Sequence, residues 1–187
     1  MRRSAADTRR KILEAAYDLF WRQGFLRVSM DDIAARAGLT KRTLYQHFRS
    51  KDDLIAAALA HSSELAIERL RGFPRAAGGD ELIESFFSQL AKWAGKPGWS
   101  GAGFTRVVVE LADLRGHPAR AIARQHKRQV ENWLAEALAA AGVASAEERG
   151  REVMLLMEGA MALMLIHGDR SYATAAARAA KRLIQRI

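Results

Sequence analysis

The sequence predicts an all-α protein of about nine helices, on three observations. Apolar residues recur at the 3.6-residue spacing of amphipathic helices along nearly the whole chain, and no stretch alternates as a strand would. Ser29, Thr40 and Ser50 stand where three successive helices should begin, each a residue type that caps a helix N-terminus. At 187 residues the chain can hold one large core, or a small domain and a medium one.

The first helix should span about Asp7 to Gln23, burying Ile12, Ala15, Ala16, Leu19 and Phe20, with Gly24 ending it and Trp21 packed in the same core. Ser29 with Asp32, and Ser50 with Asp53, have the spacing of a capping box with Asp in place of Glu, and Thr40 caps the helix between them. Helices therefore start near 30, 41 and 51, the first of these ending at Gly38. The fourth helix continues to about Arg71 and carries Leu54, Ile55, Ala58, Leu59, Leu65, Ile67 and Leu70. GFPRAAGG, 72–79, reads as a linker. A fifth helix follows from about Asp80 to Ala94, then the connection GKPGWSGAG (95–103) and a sixth helix over Phe104 to Leu114. The seventh starts at Pro118, an accepted first-turn position, and runs to about Ala141 before Gly142. The last two cover about Ala146 to His167 and Ser171 to Arg186, and no internal repeat is present.

Within SMDDIAARAGLTKRTLYQHFRSKDD, 29–53, three residues carry a specific geometry: Ala34, small where two helices nearly touch; Gly38, tolerant of left-handed dihedrals in the turn; and Leu44, an apolar anchor under the second helix. This is the pattern of a helix-turn-helix. Ile33, Leu39, Leu44 and Phe48 supply its underside, leaving Lys41, Arg42, Thr43, Tyr45, Gln46 and His47 as a reading face. Gln pairs bidentately with adenine, Arg and Lys with guanine, and the threonine methyl meets that of thymine. Lys51 adds a clue, because a cation at the first position of a helix opposes the macrodipole and a neighbouring phosphate relieves that cost. Charge agrees: residues 1–51 hold 12 Lys and Arg against 5 Asp and Glu, so most of the net +9 lies with this motif, as phosphate binding requires.

Other chemistries are poorly supported. The chain has no cysteine, which excludes disulfides, thiolate metal sites and thiol redox sensing. The five histidines, His47, His61, His117, His126 and His167, lack metal-ligand spacing, and there is no Gly-rich phosphate loop or nucleophile elbow, so neither an enzyme nor a cofactor is expected. The N-terminus lacks the continuous apolar stretch of a signal peptide, and the longest apolar run, Val153 to Ile166, is broken by Glu158 and too short to span a bilayer. A cytoplasmic protein without a membrane partner is expected. A peripheral membrane role is disfavoured because the apolar face of the first helix is needed by its own domain.

TRRKILEAAYDLFWRQGF (8–25) and VSMDDIAARAGLTKRTLYQHFRSKDDL (28–54), with their mutual spacing, resemble the DNA-binding domain of the TetR/AcrR family of bacterial transcriptional regulators. ELADLRGHPARAIARQHKRQVENWL and EGAMALMLIHGD are similar to one branch of its ligand-binding and dimerisation domain. The resemblance implies two domains, 1–52 for DNA and 53–187 for ligand and dimerisation. It also implies a major-groove helix with Thr40, Lys41, Arg42, Thr43 and Gln46 at base edges or adjacent phosphates. Tyr45, His47 and Lys51 would contact the backbone, and Ser29 completes the DNA-binding set. Arg42 stands where the family often has Gly, so operator sequence does not carry over; Ala102 stands where part of the branch has cysteine.

The eighth helix is apolar around most of its circumference, and the ninth carries Ala173, Ala176, Ala177, Ala180, Leu183, Ile184 and Ile187 in a stripe of small and apolar residues. Together they suggest a two-fold four-helix interface, as the resemblance also implies; the alternative is that the eighth helix is simply central to the monomer core. An apolar pocket is expected among helices five to eight, with Phe86, Phe87, Trp93, Trp99, Phe104, Arg106, Glu110, Trp133, Met157 and Met161 as candidates. Aromatic residues and Met at helical spacing are also the ordinary content of a core, and Arg106 and Glu110 have the spacing to pair along one helix. The function expected is that of a homodimeric regulator, a repressor released from palindromic double-stranded operator DNA by a small apolar effector.

Overall fold

The computed structural model describes residues 4–74, 77–101 and 103–185. Among the described residues there are nine α-helices and no strand: α1 Ala5–Gln23, α2 Met30–Ala37, α3 Lys41–His47, α4 Lys51–Arg71, α5 Gly79–Ala94, α6 Gly103–Glu110, α7 Pro118–Ala140, α8 Ala146–His167 and α9 Ser171–Ile184. The all-α reading and the helix order hold. Arg186, Ile187 and Ala102, named in the sequence reading, lie outside the described residues.

Two helix ends differ from expectation. α1 starts earlier, because the Ser4 hydroxyl oxygen accepts the Asp7 N–H at 3.0 Å and the same hydroxyl donates to the Asp7 carboxylate at 2.7 Å. That pair has the same three-residue spacing as the caps that were recognised. α6 stops at Glu110 rather than Leu114, and the following chain tightens into turns in which Leu114 N–H donates to Leu111 and His117 N–H to Leu114. A distant residue holds this corner, since Arg120 donates to the Ala112 carbonyl at 3.1 Å.

The chain forms two compact units, Met1–Ala66 with Gly103–His126, and Ile67–Ala102 with Lys127–Ile187. The packing units run across the division at 52/53 expected from the sequence. In the first, Phe20, Ile33, Leu44, Phe48, Leu54 and Leu59 form a core that Phe104 and Val107 of α6, Leu111 just past its end, and Ala119 and Ala123 of α7 complete. Each fully buried aliphatic or aromatic side chain there stabilises the fold by roughly 1.5–3 kcal/mol. Leu65 of α4 is exposed, while Ser62 and Ser63 are buried.

The second unit is built on α5, α8, α9 and the later turns of α7, around Ile83, Phe87, Leu134, Leu138, Val153, Met157 and Met161. Here the sequence reading needs correction. Ala173, Ala176, Ala177 and Ala180 of α9 are buried within the unit, where α9 packs on α5 and α8, so the stripe lets helices approach inside one chain and is not a free face for a second copy. The apolar circumference of α8 does leave residues uncovered, with Leu155 and Ile166 about 70% exposed (69% and 71%).

Candidate nucleic-acid interface

The first unit presents α2 and α3 as a helix-turn-helix whose ends are fixed by local chemistry. At Ser29 the hydroxyl oxygen accepts the Asp32 N–H at 3.1 Å while the Asp32 carboxylate accepts the Ser29 N–H at 2.8 Å, a complete capping box. These bonds hold the Asp32 carboxyl below its ordinary range, the Ser29 side chain first among the causes. α2 ends at Gly38, whose φ of 59° and ψ of 45° are left-handed and cost a glycine nothing. Its N–H closes on the carbonyls of Ala34 and Ala35, and the chain enters α3 through Thr40, whose hydroxyl oxygen accepts the Thr43 N–H at 3.1 Å. The expected cap at Ser50 is half formed: its hydroxyl accepts the Asp53 N–H, but the Asp53 carboxylate accepts from Arg49 rather than Ser50.

α3 is anchored by Leu44 and, just past its end, Phe48, both buried, with the Arg9 guanidinium lying over the Phe48 ring. The opposite side bears Lys41, Arg42, Tyr45 and Gln46, all exposed, with Thr43 and His47 half-buried beside them. Thr43 is also within hydrogen-bond distance of Thr40 through their hydroxyls, 2.9 Å apart. Lys41 makes an ion pair with Asp31 of α2 at 2.8 Å, and that hydrogen bond raises its pKa. Sequence reasoning missed this partner, although Asp31 lies only ten residues away. Lys51 is half-buried; its ammonium donates to the Leu26 carbonyl at 2.8 Å, and burial pushes its pKa down. That bond is a second way of accommodating a cation at the start of α4, and it leaves further N–H donors on the ammonium.

The residues expected to line a ligand pocket divide between the units. Phe104, Arg106 and Glu110 belong to the first, where Phe104 stacks on His126 with ring centroids 3.7 Å apart, and Arg106 and Glu110 pair at 2.6 Å while also binding the backbone at the end of α1. The others belong to the second. Phe86 and Trp133 lie 5.8 Å apart with Phe73 against both, Trp93 meets Trp99 edge-on at 5.8 Å, and Phe87, Met157 and Met161 are core. A cleft of about 460 Å³ in that unit lies at the start of α8, lined by Ser145, Ala146, Glu147, Glu148 and Arg151, which are not among the expected residues. Among the described residues no helix is long and apolar enough to cross a membrane.

Residues 12–58, which contain this motif, match the family model described as bacterial regulatory proteins, tetR family. The HTH-type transcriptional regulator UidR of Escherichia coli K12 is 39% identical over 71 residues, a match spanning 38% of this chain but only 36% of that protein's length. Solved structures extend the likeness to the whole fold. A TetR-family transcriptional regulator from Streptomyces coelicolor is 26% identical with a TM-score of 0.81, covering 96% of this chain and 95% of that one. A TetR-type regulator from Streptomyces avermitilis is 30% identical with a TM-score of 0.75, covering 93% of this chain and 98% of its own. With the motif, the all-helical fold of the described residues and a relative aligned over nearly its full length in agreement, the chain belongs to the TetR family of transcriptional regulators.

Proposed function

We propose that the protein is a homodimeric, sequence-specific DNA-binding regulator, acting as a repressor that leaves a palindromic operator when a small apolar molecule binds. The observation that carries the DNA-binding part is α3 itself, a helix held by buried Leu44 with Lys41, Arg42, Tyr45 and Gln46 turned to water. Beyond the exposed Lys41–Asp31 pair, the set is turned to solvent, and base edges and phosphates match it. Ser29, Thr40, Thr43, His47 and Lys51 flank it and complete the proposed contact set, within a functional DNA-binding segment ending near 52.

Dimerisation is supported by the uncovered face of α8, where Leu155, Gly159, Ala162, Leu163 and Ile166 recur at helical spacing, and not by the alanines of α9. An uncovered apolar stripe of this kind marks an association surface. For the effector, the aromatic group around Phe73, Phe86 and Trp133 offers apolar lining in the second unit, and Met157 and Met161 offer adaptable walls.

Selection from a random duplex library, followed by sequencing, tests the reading. Two copies related by a two-fold axis should enrich an inverted repeat with half-sites about one helical turn apart. Enrichment of sites without dyad symmetry rules out the dimeric reading, and no enrichment at all rules out sequence-specific binding.

A further inference from the structure

We propose that Glu110 is a positioning residue for DNA binding: from α6 it holds the turn between α1 and α2 and, through that turn, the first residue of α4, which opens just after the reading helix. The proposal rests on the DNA-binding reading above.

The end of α1 leaves backbone groups that need partners. The N–H groups of Phe25 and Leu26 both donate to one Glu110 oxygen, Oε2, at 2.7 and 3.1 Å. The other oxygen accepts from Arg106 Nε at 2.6 Å, and Arg106 Nη1 donates in turn to the Trp21 carbonyl at 3.1 Å. One ion pair on α6 thus serves both polarities of the α1 terminus. A plain i,i+4 pair on a helix surface has no such reach. The Glu110 side chain is only 20% exposed and that of Arg106 32%, so water competes weakly for these bonds. Gly24 forms the seat: its φ is 100°, and a β-carbon built there would lie 2.7 Å from Arg106 Nη2 and 3.0 Å from Glu110 Oε1. The turn and the ion pair are fitted to each other at a position that only glycine occupies without strain.

The link continues toward DNA. The Leu26 carbonyl, on the residue whose N–H Glu110 holds, accepts from Lys51 Nζ at 2.8 Å, and Lys51 opens α4 soon after α3 ends at His47. A second contact reaches the same turn of α4 from just beyond α6. His117 Nδ1 accepts the Ala119 N–H at 3.1 Å, and its Nε2 lies 3.4 Å from Asp52 Oδ1 in a contact without hydrogen-bond alignment. The first turn of α4 therefore meets the segment 106–117 twice, by hydrogen bonds relayed through Leu26 and by contact alone at His117. The pair expected from the sequence to face a ligand is engaged with the protein's own backbone, in a place where a shift of α6 is felt behind α3.

The test uses the full chain and a duplex selected by the wild-type protein. Failure of the wild type to bind any duplex overturns the DNA-binding reading, and this inference with it. Given binding, Glu110→Gln should weaken it about tenfold, the size expected when charge-assisted bonds become neutral ones. Arg106→Gln should add little in the double variant, because the two side chains hold the α1 terminus as one ion pair, and amide exchange at Phe25 and Leu26 should accelerate in Glu110→Gln. Unchanged affinity, fully additive losses or unchanged exchange would each overturn the proposal while leaving the wild-type reading intact. If Glu110→Gln does not fold, Glu110→Asp, which keeps the charge but withdraws it by one methylene, must show the same loss; wild-type affinity there overturns the proposal equally.

Discussion

α3 and α8 each hold one face in a core and leave another uncovered, and the two uncovered faces have opposite chemistry. On α3, Leu44 is buried while Tyr45 is 48% exposed among Lys41, Arg42 and Gln46. On α8, Met154, Met157, Met161 and Met164 are buried, while Leu155, Leu163 and Ile166 face outward. A polar face rests in water without cost, so its meaning lies in the kind of groups it presents; an apolar face forgoes roughly 25 cal/mol for every Å² it leaves wet. The first therefore points to a polar, anionic partner and the second to another apolar surface. One chain carries both, on different units.

The comparison can be broken hardest at the buried side of α3. Leu44→Ala should cost about 2–5 kcal/mol, because the side chain is wholly enclosed and the helix above it is too short to hold itself. Urea denaturation measures this, and DNA binding should vanish along with the seat of α3. A loss well under about 1 kcal/mol would mean that α3 is anchored elsewhere. At the uncovered side of α8 the paired change Leu155→Lys with Ile166→Lys should do the reverse. Both side chains already lie mostly in water in the single chain, so the fold should survive, yet like charges would meet across a two-fold interface. Sedimentation should show the dimer dissociation constant rising by about a hundredfold or more. A variant that remains dimeric would move the interface away from this face.

How much of this was legible in the sequence follows the distance over which each feature is decided. The helix-turn-helix was readable almost to the residue because Ser29 with Asp32, Thr40 with Thr43 and Gly38 with Ala34 interact within a few positions. Ser4 with Asp7 obeys the same rule and was available to the same reasoning. The end of α6 depends on Arg120, eight residues beyond Ala112, and the burial of the α9 alanines depends on α5, far away in the chain. Glu110 pairs with Arg106 as their local spacing allows, but its other partners, Phe25 and Leu26, lie 85 and 84 residues away. Hydrophobic period identifies which face of a helix is apolar, not which neighbour covers it.

A smaller effect sharpens the polar side of the comparison. Lys41→Ala and Tyr45→Phe should each weaken binding by a few-fold across all duplexes if they meet phosphates, and Lys41→Ala should reduce the slope of log affinity against log salt by about one. Asp31 competes with phosphate for the Lys41 ammonium, so Asp31→Asn should strengthen binding modestly. Filter binding at several salt concentrations reads all three. A change in base preference for Tyr45→Phe would reassign that residue from phosphate to base.

The smallest effect concerns the cap that starts α2, and its signature is pH dependence rather than size. Asp32 has a lowered pKa in the folded chain because it accepts from the Ser29 side chain and backbone, bonds that an unfolded chain lacks. A depressed carboxylate contributes stability that is fully present above its unfolded pKa and is lost as pH falls through the folded one, since the unfolded state then takes up the proton more readily. Asp32→Asn keeps the shape and removes the charge. The wild type should therefore be the more stable protein at neutral pH, and the gap should narrow as pH falls below the ordinary Asp value of 3.8. Paired urea titrations from about pH 6 down to about pH 3 follow that gap directly. A difference that stays constant over this range would assign the effect to amide packing, and the capping box would then be a geometric feature of α2 without an electrostatic contribution to its stability.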